Sequence, residues 1–215
     1  LEASEIKLLD QLLQSDLAAG EIVDSKALPT RKVIGATEIA LWKGDITQLS
    51  IDAIVNAANH HMMGCFQALH NCIDNAIHSR AGVQLRDDCY TIMQKQEALE
   101  PTGDAKITRA YNLPSNFVIH TVGPIVDGGL QSRHREELAQ AYKSCLDLSL
   151  ESGKIKRIAF CCISTGVYGY PPKEAAQSAY QAVKDWLATH PDSLEQIVLN
   201  VFTDRDEKIY ESILG

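Results

Sequence analysis

The stretch Cys65-Phe66-Gln67-Ala68-Leu69-His70-Asn71-Cys72 sets two thiols and an imidazole within eight residues. Thiolate and imidazole together suit zinc, and three protein ligands leave a fourth tetrahedral position for water or substrate. The plainer reading is a pair of packed thiols and a satisfied histidine, and spacing alone leaves both open. His60, His61 and Cys89 are candidate fourth ligands that would close such a site, though two of them equally suit a surface and the third a helix core. Near this cluster lie Asn56 and Asn59, then Asp74, Asn75 and His78, amides and a carboxylate that could clasp the vicinal hydroxyls of a ribose. Turn-making and capping explain the same residue types.

A third group is Ser164-Thr165-Gly166-Val167-Tyr168-Gly169-Tyr170, which follows the apolar run IAFCCI and precedes Pro171-Pro172. Its glycines let backbone N–H groups turn towards a bound anion, so phosphate could be held without Lys or Arg. Glycine loops of this kind also serve as ordinary connections. Asp45 after Gly44 is a turn residue or a base-edge acceptor, and Phe202 is core or a stacking ring.

These residues need strands to place them. Ile39 to Trp42, Ile51 to Asn56, Phe117 to Val122, Ile158 to Ile163 and Ile197 to Phe202 are short apolar runs of the kind found in buried strands. Helical spacing links Ile73, Ile77 and Leu85, then Leu138, Tyr142 and Cys145, then Ala175, Ala179, Val183 and Trp186. Ser4 offers a cap for an opening amphipathic helix bearing Leu9, Leu12 and Leu13. The alternation predicts an α/β fold, a three-layer α/β/α sandwich on a parallel or mixed sheet, with ligands beyond the carboxyl ends of the strands.

Composition narrows the function classes. The chain has 215 residues, 20 Lys plus Arg against 28 Asp plus Glu, a net charge of −8, and 45% hydrophobic and 22% charged residues, which is globular and acidic. Acidity disfavours a general nucleic-acid binder, because such affinity comes from neutralising phosphates. No apolar run reaches membrane-spanning length and the first residues lack a secretory pattern, so a cytoplasmic protein with reduced thiols is expected.

Read in order, the strand tips resemble the macrodomain family of ADP-ribose-binding proteins: Gly44-Asp45-Ile46-Thr47, IVNAAN (54 to 59), PTGDA (101 to 105), IHTVGP (119 to 124) and ISTGVYGYP (163 to 171). The resemblance implies a mixed central sheet, with 37–215 as the macrodomain and 1–36 as an N-terminal helical extension packing on it. The insert GCFQALHNCIDNAIH (64 to 78) is similar to zinc-dependent members, in which Cys, His and Cys bind catalytic zinc. By that resemblance Cys65, His70 and Cys72 hold Zn2+, polarising the scissile ester or lowering the pKa of a water. Asp45, Ile46 and Phe202 take adenine, Ser164, Thr165, Gly166, Val167 and Tyr168 grip the diphosphate, and Asn59 and Tyr170 position the distal ribose. Asn59 and Asp74 are the catalytic candidates. The glycine run of the common branch is replaced here, so Asp74 either activates water or orients His70, the ribose or the metal's water.

The implied activity is a zinc-dependent mono-ADP-ribosyl hydrolase acting on modified acidic side chains, with ADP-ribose and a mono-ADP-ribosylated protein as partners. Such relatives act on a lipoyl-carrier protein and accompany a sirtuin-like ADP-ribosyltransferase. Two alternatives stand beside it, an ADP-ribose reader without chemistry and an O-acetyl-ADP-ribose deacetylase.

Overall fold

Ile39 and Ala40, Ile54 and Val55, Val118 and Ile119, Ile158 and Ala159, and Ile197 and Val198 are all fully buried. They are consecutive neighbours rather than alternate ones, as a sheet covered on both faces demands. The computed structural model, which describes residues 2–67 and 70–215, turns each of these runs into a strand. In chain order the elements are α1 (Ala3–Ala19), β1 (Val23–Asp24), β2 (Thr30–Ile34), β3 (Thr37–Lys43), β4 (Leu49–Ser50), β5 (Ala53–Ala57), α2 (Ile73–Ala81), α3 (Val83–Gln96), β6 (Ala105–Arg109), β7 (Phe117–Thr121), α4 (Ser132–Ser152), β8 (Arg157–Phe160), α5 (Pro172–Thr189), β9 (Gln196–Val201) and α6 (Asp204–Leu214).

Seven strands form the central sheet in the order β2-β3-β9-β8-β5-β7-β6. The five inner strands run parallel, and β2 and β6 pair antiparallel at the two edges, so the sheet is mixed. Helices flank it, α4, α5 and α6 packed as one group and α2 with α3 as another. This is the macrodomain fold expected, with α1 preceding the sheet. Between α1 and β3 the chain also adds β1, which pairs with β4, and the edge strand β2.

Three local details differ from the sequence reading. Glu2, not Ser4, opens α1, through reciprocal bonds with Glu5, and Ser4 lies inside the first turn. That helix is tied to the body by polar contacts, Asp10 accepting from Gln84 and Asn112; Leu9 and Leu13 are half-buried, while Leu12 is exposed. The apolar series Ile73, Ile77, Leu85 spans two helices, because Gly82 adopts φ +100° between α2 and α3, a conformation that only glycine takes readily. Among the described residues, no helix is long and apolar enough to cross a membrane.

Candidate functional site

A cleft of about 1060 Å³ opens where β3, β5, β8 and β9 end, lined by the residues that leave those strands. That is where a parallel sheet gathers loops without obstruction, and the volume suits a ligand of dinucleotide size. Among the predicted site residues, Asp45, Ile46, Asn59, Cys65, His70, Cys72, Asp74, Phe202 and the loop from Ser164 to Tyr168 all line it.

At one end stand Asp45 and Phe202. Asp45 Oδ1 accepts from the N–H and hydroxyl of Thr47 at 3.0 and 2.6 Å, which fixes the carboxylate, and Oδ2 lies 3.1 Å from the Arg80 guanidinium. Phe202 is 71% exposed, so its ring is open for stacking and is not core. Arg80 was not foreseen. On a helix whose other face is apolar it reads as a solvated charge, and only the approach of α2 to the turn after β3 brings it into the cleft.

The loop after β8 runs along the cleft. Ser164 has φ +66°, and the turn is closed by Gly169 N–H donating to Gly166 O and Tyr170 N–H to Ser164 O, at 3.1 and 3.0 Å. The N–H groups of Gly166, Val167 and Tyr168 make no hydrogen bond among the described residues, so three donors remain for a ligand. Tyr170 departs from the sequence reading. Closure of the turn sends its side chain inward, where it is 1% exposed in the core with its hydroxyl 3.5 Å from Ser178, and it does not line the cleft. Tyr168, half-buried on the cleft side, stands there instead, and burial with the Asp74 charge raises its phenol pKa.

At the other end, Cys65 Sγ lies 3.4 Å from His70 Nδ1, and the ligand atoms of Cys65, His70 and Cys72 all fall within 4.8 Å of one another. Cys72 is also the N-cap of α2, its sulfur accepting from Asn75 N–H at 3.4 Å, while the Asn75 amide donates to His70 O at 2.9 Å. Burial pushes the Cys72 thiol up, against the Asn75 N–H, which favours the thiolate. None of the three candidate fourth ligands joins this group: His60 bonds the Glu100 carbonyl, His61 is exposed, and Cys89 is buried in α3.

Asp74, in the first turn of α2, is buried beside this group and accepts from Asn56 at 2.8 Å and from Asn59 at 3.3 Å. Burial raises its carboxyl pKa, opposed by the Asn56 amide and the Arg86 charge. Gly64 packs its bare Cα against the His78 ring with φ +81°, so the chain passes where a side chain would collide. Burial, then the Arg86 charge, lowers the His78 pKa to about 4. A second cluster, His78, Cys89 and His120, lies wholly buried behind Asp74. Arg109 and Tyr111 stay out of the cleft, the guanidinium paired with Asp88 and resting over the Tyr111 ring.

The chain matches the family described as Macro domain over residues 55–179. A relative from Treponema medium named Protein-ADP-ribose hydrolase is 48% identical over 98% of this chain and 80% of its own length. One of the same name from Staphylococcus aureus is 45% identical over 97% of this chain and 77% of its own. Among solved structures, the Trypanosoma brucei macrodomain in complex with ADP-ribose superposes with a TM-score of 0.79 at 33% identity, covering 100% of this chain and 91% of that one. The Oceanobacillus iheyensis macrodomain with ADP gives 0.75 at 37% identity over 85% and 93%. With its strand order, its cleft at the strand ends and these matches together, the chain belongs to the Macro domain family.

Proposed function

We propose that the protein is a zinc-dependent hydrolase that removes ADP-ribose from acidic side chains of mono-ADP-ribosylated proteins. The observation that carries this reading is the Cys65, His70 and Cys72 group standing in the same cleft as Asn59 and Asp74. Two thiols and an imidazole are a zinc donor set, each is half-buried at the cleft wall, and no fourth protein ligand joins them among the described residues. When bound there, zinc supplies Lewis acidity at the ribose end of the cleft.

The remaining work falls to the chain's own groups. Asp45 accepts from the exocyclic amine of adenine and Phe202 stacks on the base, beside Ile46. The free N–H groups of the loop after β8 take the diphosphate by charge-assisted hydrogen bonds, which suits a chain of net charge −8. Asn59 holds the distal ribose, and Asp74 orients the attacking water against the bond to the acidic side chain. The names of the relatives support hydrolysis over a binding role.

The test is ADP-ribose release from an aspartate- or glutamate-linked protein by as-purified, chelator-stripped and zinc-restored enzyme. A lipoyl-carrier protein modified by a sirtuin-like ADP-ribosyltransferase is the substrate to use first. Turnover lost and then restored is expected. ADP-ribose binding with no turnover in any arm would make the protein a reader, and turnover only on O-acetyl-ADP-ribose would change its substrate.

A further inference from the structure

Asp74 is the cleft-side end of a buried chain of hydrogen bonds. Its Oδ1 accepts from Asn56 Nδ2 at 2.8 Å, and the same amide nitrogen lies 3.1 Å from His120 Nδ1. On the far side of the ring, His120 Nε2 is 2.9 Å from Thr108 Oγ1, which in turn is 3.5 Å from the Val118 carbonyl. Asn56 and His120 have no exposure at all, and neither lines the cleft.

Hydrogen counting gives this chain one direction. The Asn56 amide has two hydrogens, one for the carboxylate and one for the ring, so His120 Nδ1 accepts and the ring proton sits on Nε2. Thr108 Oγ1 accepts that proton's hydrogen bond and turns its own hydrogen to Val118 O. Reversing the amide would set Asn56 Oδ1 against a carboxylate oxygen, two acceptors face to face. Burial keeps the ring neutral, its pKa lowered to about 3. The same count speaks against a cation among His78, Cys89 and His120, since His120 offers a metal no lone pair unless the amide turns its oxygen onto Asp74.

We propose that Asn56 and His120 are positioning residues for the hydrolysis, holding the Asp74 carboxylate in one rotamer through the hydrogen-bond chain that starts at Thr108. The inference rests on Asp74 taking part in the reaction proposed above. Asn56 and His120 act only through Asp74, because neither lines the cleft.

The experiment is a double-mutant cycle: Asn56→Ala and Thr108→Val, each alone and combined with Asp74→Ala, read as kcat and as ADP-ribose Kd. Asn56→Ala should lower kcat about tenfold or more with Kd little changed, the signature of a misplaced group in the transition state. Thr108→Val keeps the side-chain shape but removes the oxygen acceptor for the ring proton, together with the long bond to Val118 O, and leaves only the weak Cys89 Sγ contact at 3.8 Å, so it lowers kcat in the same sense and changes the His120 ring 15N shifts. In the Asp74→Ala background neither substitution should reduce kcat further. Unchanged kcat in both single variants, or losses that add to that of Asp74→Ala, would overturn the positioning role alone. Full activity of Asp74→Ala would instead remove Asp74 from the reaction and the inference with it.

Discussion

Asn59 Nδ2 stands 3.3 Å from Asp74 Oδ2 and donates to Gly64 O at 3.1 Å, while its Oδ1 accepts from the N–H of His61 at 2.9 Å. Both amide hydrogens are therefore committed while Oδ1 keeps a second lone pair for a ribose hydroxyl, and the orientation of the amide against the carboxylate is fixed by backbone on both sides.

Asn59→Ala should accordingly cost rate more than affinity. We expect kcat to fall by about one to two orders of magnitude, the usual loss for a misaligned reacting group, with ADP-ribose Kd changed several-fold at most. Titration calorimetry beside single-turnover hydrolysis checks this, and equal rates in both proteins would take Asn59 out of the reaction.

Cys72 has two roles that one substitution separates. Serine is a strong N-cap, so Cys72→Ser should keep α2 capped and leave the metal-free thermal midpoint within about 1 °C, under the shift of about 2–4 °C that loss of a cap worth about 1 kcal/mol would bring at this chain length. Zinc content and turnover should both drop, because a hydroxyl is a poor zinc ligand beside a thiolate. Full zinc content measured by mass spectrometry would exclude Cys72 from the metal group.

The buried imidazoles predict an acid limb. Burial lowers His78 to about 4 and His120 to about 3, whereas an unfolded histidine titrates near pH 6.5. Between these values the unfolded chain binds more protons than the folded one, so stability is full above about pH 6.5 and is lost as pH falls towards 4 and 3. The loss approaches about 1.4 kcal/mol per pH unit for each ring, and Asp74, raised by burial, offsets part of it around the carboxylate range. Urea midpoints of chelator-treated protein at pH 7, 5.5 and 4.5 measure the slope free of metal loss. His120→Gln should flatten it, and a slope unaltered by that change would assign the acid limb to other groups.

Away from the cleft, the Glu100 carboxylate has no exposure and accepts from Lys106 at 2.8 Å and Gln96 at 2.9 Å. Lys106→Ala should destabilise by about 3–5 kcal/mol, because it strands a buried charge, and the pair Glu100→Gln with Lys106→Met should recover most of that. Chemical denaturation of the three proteins decides it; a Lys106→Ala loss below about 1 kcal/mol would mean the pair behaves as an exposed one.

The inner strands were legible because burial on both faces writes them as consecutive apolar residues, such as IAF in β8 and IVL in β9. The edge strands were not: β2 reads TRKVI and β6 reads AKITR, polar enough on their open sides to pass for loop. Periodicity ran Ile73, Ile77 and Leu85 together because both helices bury the same side, and the left-handed turn at Gly82 leaves no mark on that pattern. Within the site, residues at strand tips announced themselves by type, whereas Arg80 enters from a helix face and Tyr170 leaves through the closure of a turn. The role argued for His120 was hidden for a related reason, since a histidine in an apolar strand gives no sign of what its two nitrogens meet.

The nine residues of α2 carry Cys72 at their cap, Asp74 in the first turn, His78 on the buried side and Arg80 in the last turn against Asp45. At 1.5 Å per residue, the rise from Asp74 to Arg80 is about 9 Å. The helix thus works as a gauge bar laid along the cleft, setting the spacing between its two ends in units of whole turns. One inserted residue would rotate everything beyond it by about 100°, so the length of α2 is as much a part of the site as any side chain on it.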